Sequence, residues 1–159
     1  MFFLVLWALG LITAIVDMVV RGGGTDLSNI SSTLLLHQFV VTFGLLGLIG
    51  FYINIAKAKE TAEKLGWPGG PFQVKYGFSQ AGLGIMGLMA IWFRGLFWLG
   101  VIVSMYIYGI SGLWSHANEM KRKNNMKDIS SISNIIMDIL YQAFITVLSL
   151  LAGGIWVLS

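Results

Sequence analysis

The sequence has no cysteine among its 159 residues. Disulfides, thiolate catalysis and cysteine-ligated metal clusters are therefore excluded. Charged residues are scarce as well, at 11% of the chain, whereas a soluble domain normally carries about 25%. A chain with so little polar surface could not cover a globule and remain a monomer in water.

Apolar residues make up 57% of the chain, and they fall in blocks of about 20 residues. A helix of that length crosses the ~30 Å hydrocarbon core of a bilayer at about 1.5 Å per residue. Open sheets and loops are excluded from lipid because their backbone groups would lack hydrogen-bond partners. The sequence therefore predicts an all-α integral membrane protein, with residues 1–159 as a single membrane domain in contact with the lipid bilayer.

Five membrane spans are predicted from these blocks. Their approximate ranges are 2–20, 33–56, 72–93, 96–114 and 132–158. The third and fourth are separated because one helix over 71–116 would be about 65 Å long, about twice the bilayer core. Arg94 and Gly95 lie near its middle with aromatic residues on both sides, a pattern typical of a turn at the membrane interface. A bundle of four spans with a long kinked third helix is the alternative.

Basic residues give a second test of the span number, because they favour the cytoplasmic side. With five spans, eight of them share one side and two lie opposite. The eight are Lys57, Lys59, Lys64, Lys75, Lys121, Arg122, Lys123 and Lys127, and the two are Arg21 and Arg94. Four spans would reduce this bias to five against four. We therefore predict a prokaryotic plasma-membrane protein with a cytoplasmic N-terminus and an external C-terminus, and no nucleic-acid partner.

A first candidate polar site lies toward the predicted outer side. Asp17 stands four residues after Thr13 on span one, and His37 and Gln38 enter span two at a similar depth. Consecutive antiparallel helices are usually neighbours, so Asp17 and His37 are expected to form a hydrogen-bonded pair. Two interpretations stay open. The pair is either structural, at a rim exposed to water, or it belongs to a proton-linked or ligand-binding site, because histidine titrates near neutrality.

A second candidate site lies toward the predicted inner side. Asp138 and Gln142 belong to a polar stripe on span five, and Lys75 and Gln80 begin span three in the same leaflet. Lys75 is the expected partner of Asp138. The pair either fixes the helix register or lines an inward-facing cavity for a polar head group, a quinone or a substrate. Tyr141 and His116 are expected at the edge of such a cavity.

No cofactor and no metal site are predicted, with a quinone as the one alternative. Two protein ligands do not make a metal site. The chain has only His37 and His116, which in the five-span arrangement lie about 20 Å or more apart along the membrane normal. A bis-histidine haem, which needs both near one iron, is therefore disfavoured.

Small residues recur along spans two and three at spacings that let helix backbones approach closely in lipid. They are Gly44, Gly47 and Gly50 on span two, and Gly77, Ala81 and Gly84 on span three. Packing within the chain explains most of these positions, and a face for self-association explains the remainder.

Several motifs carry a resemblance over about a third of the chain. They are Gly66-Trp67-Pro68-Gly69-Gly70-Pro71-Phe72-Gln73, Gly77-Phe78, Trp92-Phe93-Arg94-Gly95, Phe97-Trp98, and His116 with Met120. The chain resembles a family of small uncharacterised prokaryotic multi-pass membrane proteins, which is distantly similar to DoxX-type helical bundles. An acidic residue often stands in that family where this chain has Lys75 and Leu96. The resemblance implies an accessory role in redox chemistry, by analogy alone.

Three functions are compatible with these features. The leading hypothesis is an accessory or scaffold subunit of a membrane complex, redox-linked if the resemblance holds, because the chain shows no catalytic motif. Its partners would be other membrane subunits or further copies of itself. The second is a small oligomeric transporter or channel that uses Lys75 and Asp138. The third is a quinone- or lipid-handling enzyme that uses Asp17 and His37.

Overall fold

The computed structural model describes residues 2–22, 25–65, 69–122 and 129–157, and within these ranges the chain is helical without strands. The all-α prediction is therefore confirmed. The elements are α1 (Phe2–Arg21), α2 (Leu27–His37), a π-helical segment (Gln38–Gly44), α3 (Leu45–Ala56), α4 (Ala58–Leu65), α5 (Pro71–Met89), α6 (Leu96–Arg122) and α7 (Ile129–Ala152). Lys123 and Lys127, used in the charge argument, and the motif residues 66–68 lie outside the described residues.

Four helices in the described part of the chain are long and apolar enough to cross a membrane. They are Phe2–Arg21, Leu27–Ala56, Leu96–Arg122 and Ser131–Ala152. The fifth long helix, α5, has 19 residues and is not among them. It carries Gln73, Lys75 and Gln80 in its first half. Large apolar side chains such as Val19 and Ile129 point away from the protein, as expected for a surface that faces lipid.

The chain turns between α5 and α6 at residues 90–95, so one long kinked helix over this region is not formed. Gly95 has a φ of 61°, a conformation that glycine adopts without steric cost. The indole Nε1 of Trp98 donates to the carbonyl of Ala90 at 3.0 Å. The guanidinium of Arg94 lies 4.6 Å from the centre of the Trp98 ring. These contacts stabilise the turn that separates the predicted third and fourth spans.

Three predicted helix ends differ from the structure by six residues or more. α2 begins at Leu27 rather than near residue 33, because Asp26 caps it by accepting from the Asn29 backbone N–H at 3.3 Å. α6 continues to Arg122, eight residues beyond the predicted end of span four. α7 ends at Ala152 rather than at 158, since Gly153 and Gly154 follow with φ of 73° and 69°. Residue 158 itself lies outside the described residues.

Glycines bring α3 and α5 into direct backbone contact, which is the closest packing in the bundle. A Cβ atom on Gly84 would lie 2.9 Å from the backbone nitrogen of Leu48. A Cβ on Gly87 would lie 2.8 Å from the backbone nitrogen of Gly44. Because apolar burial does not drive association inside lipid, such close van der Waals packing is what holds two membrane helices together.

α7 completes the bundle by packing between α2 and α6. The Ser28 hydroxyl at the start of α2 donates to the carbonyl of Ala152 at the end of α7, at 2.7 Å. Tyr141 in the middle of α7 contacts the rings of Phe3 and Trp7 edge-on. The two ends of the bundle carry different elements. One end holds Arg94 and the end of α1, and the opposite end holds the start of α1 and the end of α6.

Candidate ligand cavity at Asp138

A cavity of about 290 Å³ lies inside the bundle, between α1, the π-helical segment, α3, α5, α6 and α7. We call it the Asp138 cavity. Its polar and aromatic lining is Phe3, Thr42, Phe43, Tyr76, Tyr108, Ser111, Ser115, His116, Asp138, Tyr141 and Gln142. No lysine or arginine of the described chain lines it. The cavity therefore presents one carboxylate among aromatic rings and neutral polar groups.

Two buried acceptor atoms in this lining have no hydrogen-bond partner among the described residues: Oδ2 of Asp138 and Oε1 of Gln142. The orientation of the Gln142 amide is set by its Nε2, which donates to the carbonyl of Met105 at 3.2 Å. Each unsatisfied buried polar group costs about 1–3 kcal/mol. Proteins normally satisfy such groups, with water or a ligand where no side chain is available. Two such atoms meet in one cavity, which makes it the candidate ligand site.

Two glycines of α6 create the space for these side chains. A Cβ on Gly112 would lie 2.9 Å from Oδ2 of Asp138. A Cβ on Gly109 would overlap the amide nitrogen of Gln142. Because α6 has no side chain at either position, the polar stripe of α7 can lie directly against it.

A second chamber of about 350 Å³ adjoins the first. It is lined by the start of α1 and by Asn134 and Met137 of α7, and it shares Phe3, His116 and Asp138 with the Asp138 cavity. His116 is close enough to act electrostatically on the Asp138 carboxylate. The two chambers form a path from the buried carboxylate toward the end of the bundle where α6 ends and α7 begins.

Lys75 and Gln80, predicted to join Asp138, lie elsewhere. Lys75 is exposed and forms no ion pair with any carboxylate in the described chain. The Gln80 side chain lies against Gly50 of α3, outside the Asp138 cavity. The predicted Lys75–Asp138 pair is not formed because α5 packs on α3 and the π-helical segment rather than on α7. His116, expected only at the edge, is the neighbour that Asp138 has instead.

The structure brings Asp17 and His37 together at the opposite end of the bundle. His37 Nε2 lies 3.3 Å from one Asp17 oxygen, and Arg21 Nε lies 2.6 Å from the other. His37 Nδ1 lies 3.0 Å from the hydroxyl of Thr13. Together with Arg94 these residues line a cleft of about 450 Å³, which we call the Arg94 cleft.

Gln38 was grouped with Asp17 and His37 in the sequence, but its side chain does not enter the Arg94 cleft. It is fully buried in the π-helical segment, where its Oε1 lies 2.7 Å from the hydroxyl of Thr42. Its Nε2 has no partner among the described residues, and Gly10 of α1 packs against it. Gln38 therefore belongs to the interior between the two sites.

A family model matches residues 1–153, nearly the whole chain. The chain belongs to the DUF6790 family. It is described as a family of unknown function. A comparison with curated proteins and with solved structures gives no match. The DUF6790 match agrees with the predicted membership of an uncharacterised family, while the prokaryotic origin and the likeness to DoxX-type bundles remain predictions.

In this DUF6790 protein the described residues contain no group of three or more histidine, aspartate or glutamate side chains that could hold a metal ion. The side chains that line the Asp138 cavity can form ionic contacts and hydrogen bonds, and its tyrosines offer ring faces to a cation. The polar stripe of Asp138 and Gln142 was visible in the sequence. Gly109 and Gly112, three residues apart on α6, leave room for this stripe. Their spacing is the sequence signal that could have identified α6 as the neighbour of the stripe.

Proposed function

We propose that the protein is a membrane carrier that binds a small protonated amine in the Asp138 cavity and exchanges it for a proton. The observation that carries the proposal is the convergence of unpaired Asp138 Oδ2 and Gln142 Oε1 in one cavity. Both are acceptor atoms, so the missing partner is a group that donates hydrogen bonds. A protonated amine supplies such donors and also a positive charge that can pair with the Asp138 carboxylate.

The charge of the cavity supports a cationic ligand over a neutral or anionic one. A carboxylate inside a membrane helix must be paired with a cation or take up a proton. No described lysine or arginine lines the cavity. Tyr76, Tyr108 and Tyr141 contribute aromatic rings, and ring faces attract cations. The first chamber alone, about 290 Å³, is at the lower end of the range of ligand pockets, roughly 300–1,000 Å³, and suits a small molecule.

The single carboxylate also sets the stoichiometry of the exchange at one proton for each amine. The empty cavity holds Asp138 as the neutral acid. When a protonated amine enters, the carboxyl group loses its proton and the ammonium group pairs with the resulting carboxylate. His116, which lines both chambers, accepts the released proton and passes it toward the open end. The cavity thus carries either a proton or a cation, and with a singly charged amine its net charge is the same in both states.

The membrane orientation follows from the distribution of basic residues. We place the N-terminus in the cytoplasm of a prokaryotic cell, so the second chamber opens toward the cytoplasmic side. Because the chain has no cysteine, single cysteines at positions 57 and 94 report the orientation without interference. An impermeant reagent added outside intact cells should label position 94 alone; labelling of position 57 alone would reverse the orientation.

Proton exchange can be measured in liposomes that enclose a pH-sensitive dye. Agmatine is a suitable probe, because its guanidinium group stays protonated and crosses lipid poorly. External agmatine should make the interior of wild-type proteoliposomes more alkaline, and Asp138→Asn should abolish the response. Asp26→Asn is the matched control, because Asp26 is an exposed helix cap that asparagine can replace. A response no larger than in protein-free liposomes, or an equal response with Asp138→Asn, would refute the proposal.

The accessory-subunit hypothesis and its redox link remain predictions, as does the quinone- or lipid-handling enzyme. An obligate subunit would co-purify with other membrane proteins at fixed stoichiometry in mild detergent. A carrier purifies alone or as copies of itself.

A further inference from the structure

The Arg94 cleft combines charged side chains at its rim with apolar walls, and the proposed amine carrier does not use it. The charged and polar residues are Thr13, Asp17, Arg21, His37 and Arg94, and the walls are Leu36, Val40, Val41 and Ile91. Its volume is about 450 Å³. This combination fits an amphiphile better than a small polar solute.

The charge of the cleft is positive. Asp17 uses one oxygen for Arg21 at 2.6 Å and the other for His37 at 3.3 Å. Arg94 forms no ion pair with a described carboxylate, and it stacks on the ring of Trp98 instead. Two arginines and one aspartate leave a net charge of +1 with His37 neutral. The planar guanidinium of Arg94 keeps donor groups at its edge for an anion.

The hydrogen bonds of His37 hold its ring in place beside Asp17. The Thr13 hydroxyl donates to the carbonyl of Leu9 at 2.9 Å, which leaves its oxygen free to accept from His37 Nδ1. His37 Nε2 faces the Asp17 carboxylate, which is also an acceptor. Both ring nitrogens therefore lie within hydrogen-bonding distance of side-chain oxygens, which fixes the orientation of the ring at the edge of the cleft.

The position of the cleft matches the level of lipid head groups. Arg21 is the last residue of α1, and Arg94 lies in the turn between α5 and α6. Trp92 and Phe93 beside it are exposed, as aromatic residues are in the interfacial belts of membrane proteins. Arginine side chains at this level can pair with the phosphate groups of lipid heads.

We infer that the Arg94 cleft binds the phosphate head group of an anionic phospholipid. Arg94 and Arg21 hold the phosphate oxygens through charge-assisted hydrogen bonds, and Asp17 keeps the Arg21 side chain oriented. One acyl chain lies along Val40, Val41 and Ile91. The site stands whether or not the Asp138 cavity carries amines, because the two share no lining residue.

Native mass spectrometry of the protein in an uncharged detergent tests this site. Phosphatidylglycerol should remain bound to the wild-type protein more tightly than phosphatidylcholine, whose head group carries no net charge. Arg94→Gln should weaken phosphatidylglycerol binding about tenfold, the effect of losing one charged hydrogen bond. The matched control is Arg122→Gln, because Arg122 is also exposed and pairs with Glu119 at 3.7 Å at the other end of the bundle.

Glycerol 3-phosphate distinguishes a lipid site from a site for a free phosphate. Binding of glycerol 3-phosphate as tight as that of phosphatidylglycerol would overturn the lipid assignment, because the apolar walls would then contribute nothing. Equal losses in the Arg94→Gln and Arg122→Gln proteins would overturn the assignment of the site to this cleft. Thermal unfolding of each variant verifies that a loss of lipid does not reflect a loss of fold.

Discussion

Gly112→Ala is the substitution that most directly probes the Asp138 cavity. The added Cβ would lie 2.9 Å from Oδ2 of Asp138, the unpaired atom on which the proposed function rests. The carboxylate must shift by a few tenths of an ångström, and the methyl group occupies the place of the ligand's ammonium. Gly100→Ala is the matched control on the same helix, because nothing lies within 4 Å of its Cβ position.

The expected magnitudes separate binding from stability. Alanine is favoured over glycine in a helix by about 1 kcal/mol, so Gly100→Ala should stabilise the protein by about that amount. Gly112→Ala gains the same helix preference, and the contact with a flexible carboxylate offsets part of it. A charge-assisted hydrogen bond contributes about 1.5–3 kcal/mol, so the loss of about 1.4 kcal/mol from the Asp138–amine bond should reduce affinity by about tenfold.

The assay is agmatine binding to purified protein by calorimetry, with thermal unfolding of each variant measured alongside. We expect about tenfold weaker binding for Gly112→Ala at nearly unchanged stability, and wild-type affinity for Gly100→Ala. Wild-type affinity in both variants would show that the space beside Asp138 is not where the ligand binds, and the reasoning would fail.

Three further predictions concern stability and are measured by thermal unfolding. Gly84→Ala should destabilise the protein by about 1–3 kcal/mol, because the added methyl group overpacks against the α3 backbone. Gly82→Ala is the control and should not destabilise it, because its Cβ meets open space. Equal effects of the two substitutions would contradict the packing of α3 on α5. Trp98→Phe loses the bond to the Ala90 carbonyl and should cost about 1–2 kcal/mol; an unchanged midpoint would refute that role. Gln38→Leu removes an unpaired buried donor, and the Thr42 hydroxyl that contacts Gln38 can still donate to the Leu6 carbonyl. Stability should therefore be equal or higher, and a large loss would show that the Gln38 amide is needed in the interior.

The turn between α5 and α6 could be predicted from the sequence because strong local signals coincide there. Arginine is costly in hydrocarbon, glycine accepts a positive φ, and aromatic residues prefer the interface. The start of α2 was missed because residues 27–32 include four serine or asparagine side chains, which weaken an apolar pattern. The cap at Asp26 decides that boundary through hydrogen bonding rather than hydropathy.

The partner of Asp138 could not be predicted, because it depends on which face of α5 turns inward. Charge complementarity favoured Lys75. The face that is buried instead includes Gly77 and Gly84, whose missing side chains allow backbone contact with α3. That close packing turns Lys75 outward. His116 reaches the cavity because α6 continues well beyond the predicted end of span four.

The most direct test of the account is the number of protons released when an amine binds. Calorimetric titration of the purified protein with agmatine, in buffers of different ionisation enthalpy, gives that number. The exchange through Asp138 predicts a release approaching about one proton per agmatine at a pH where the empty carboxyl group is protonated. Binding that releases no proton at any pH, or that persists unchanged with Asp138→Asn, would contradict it.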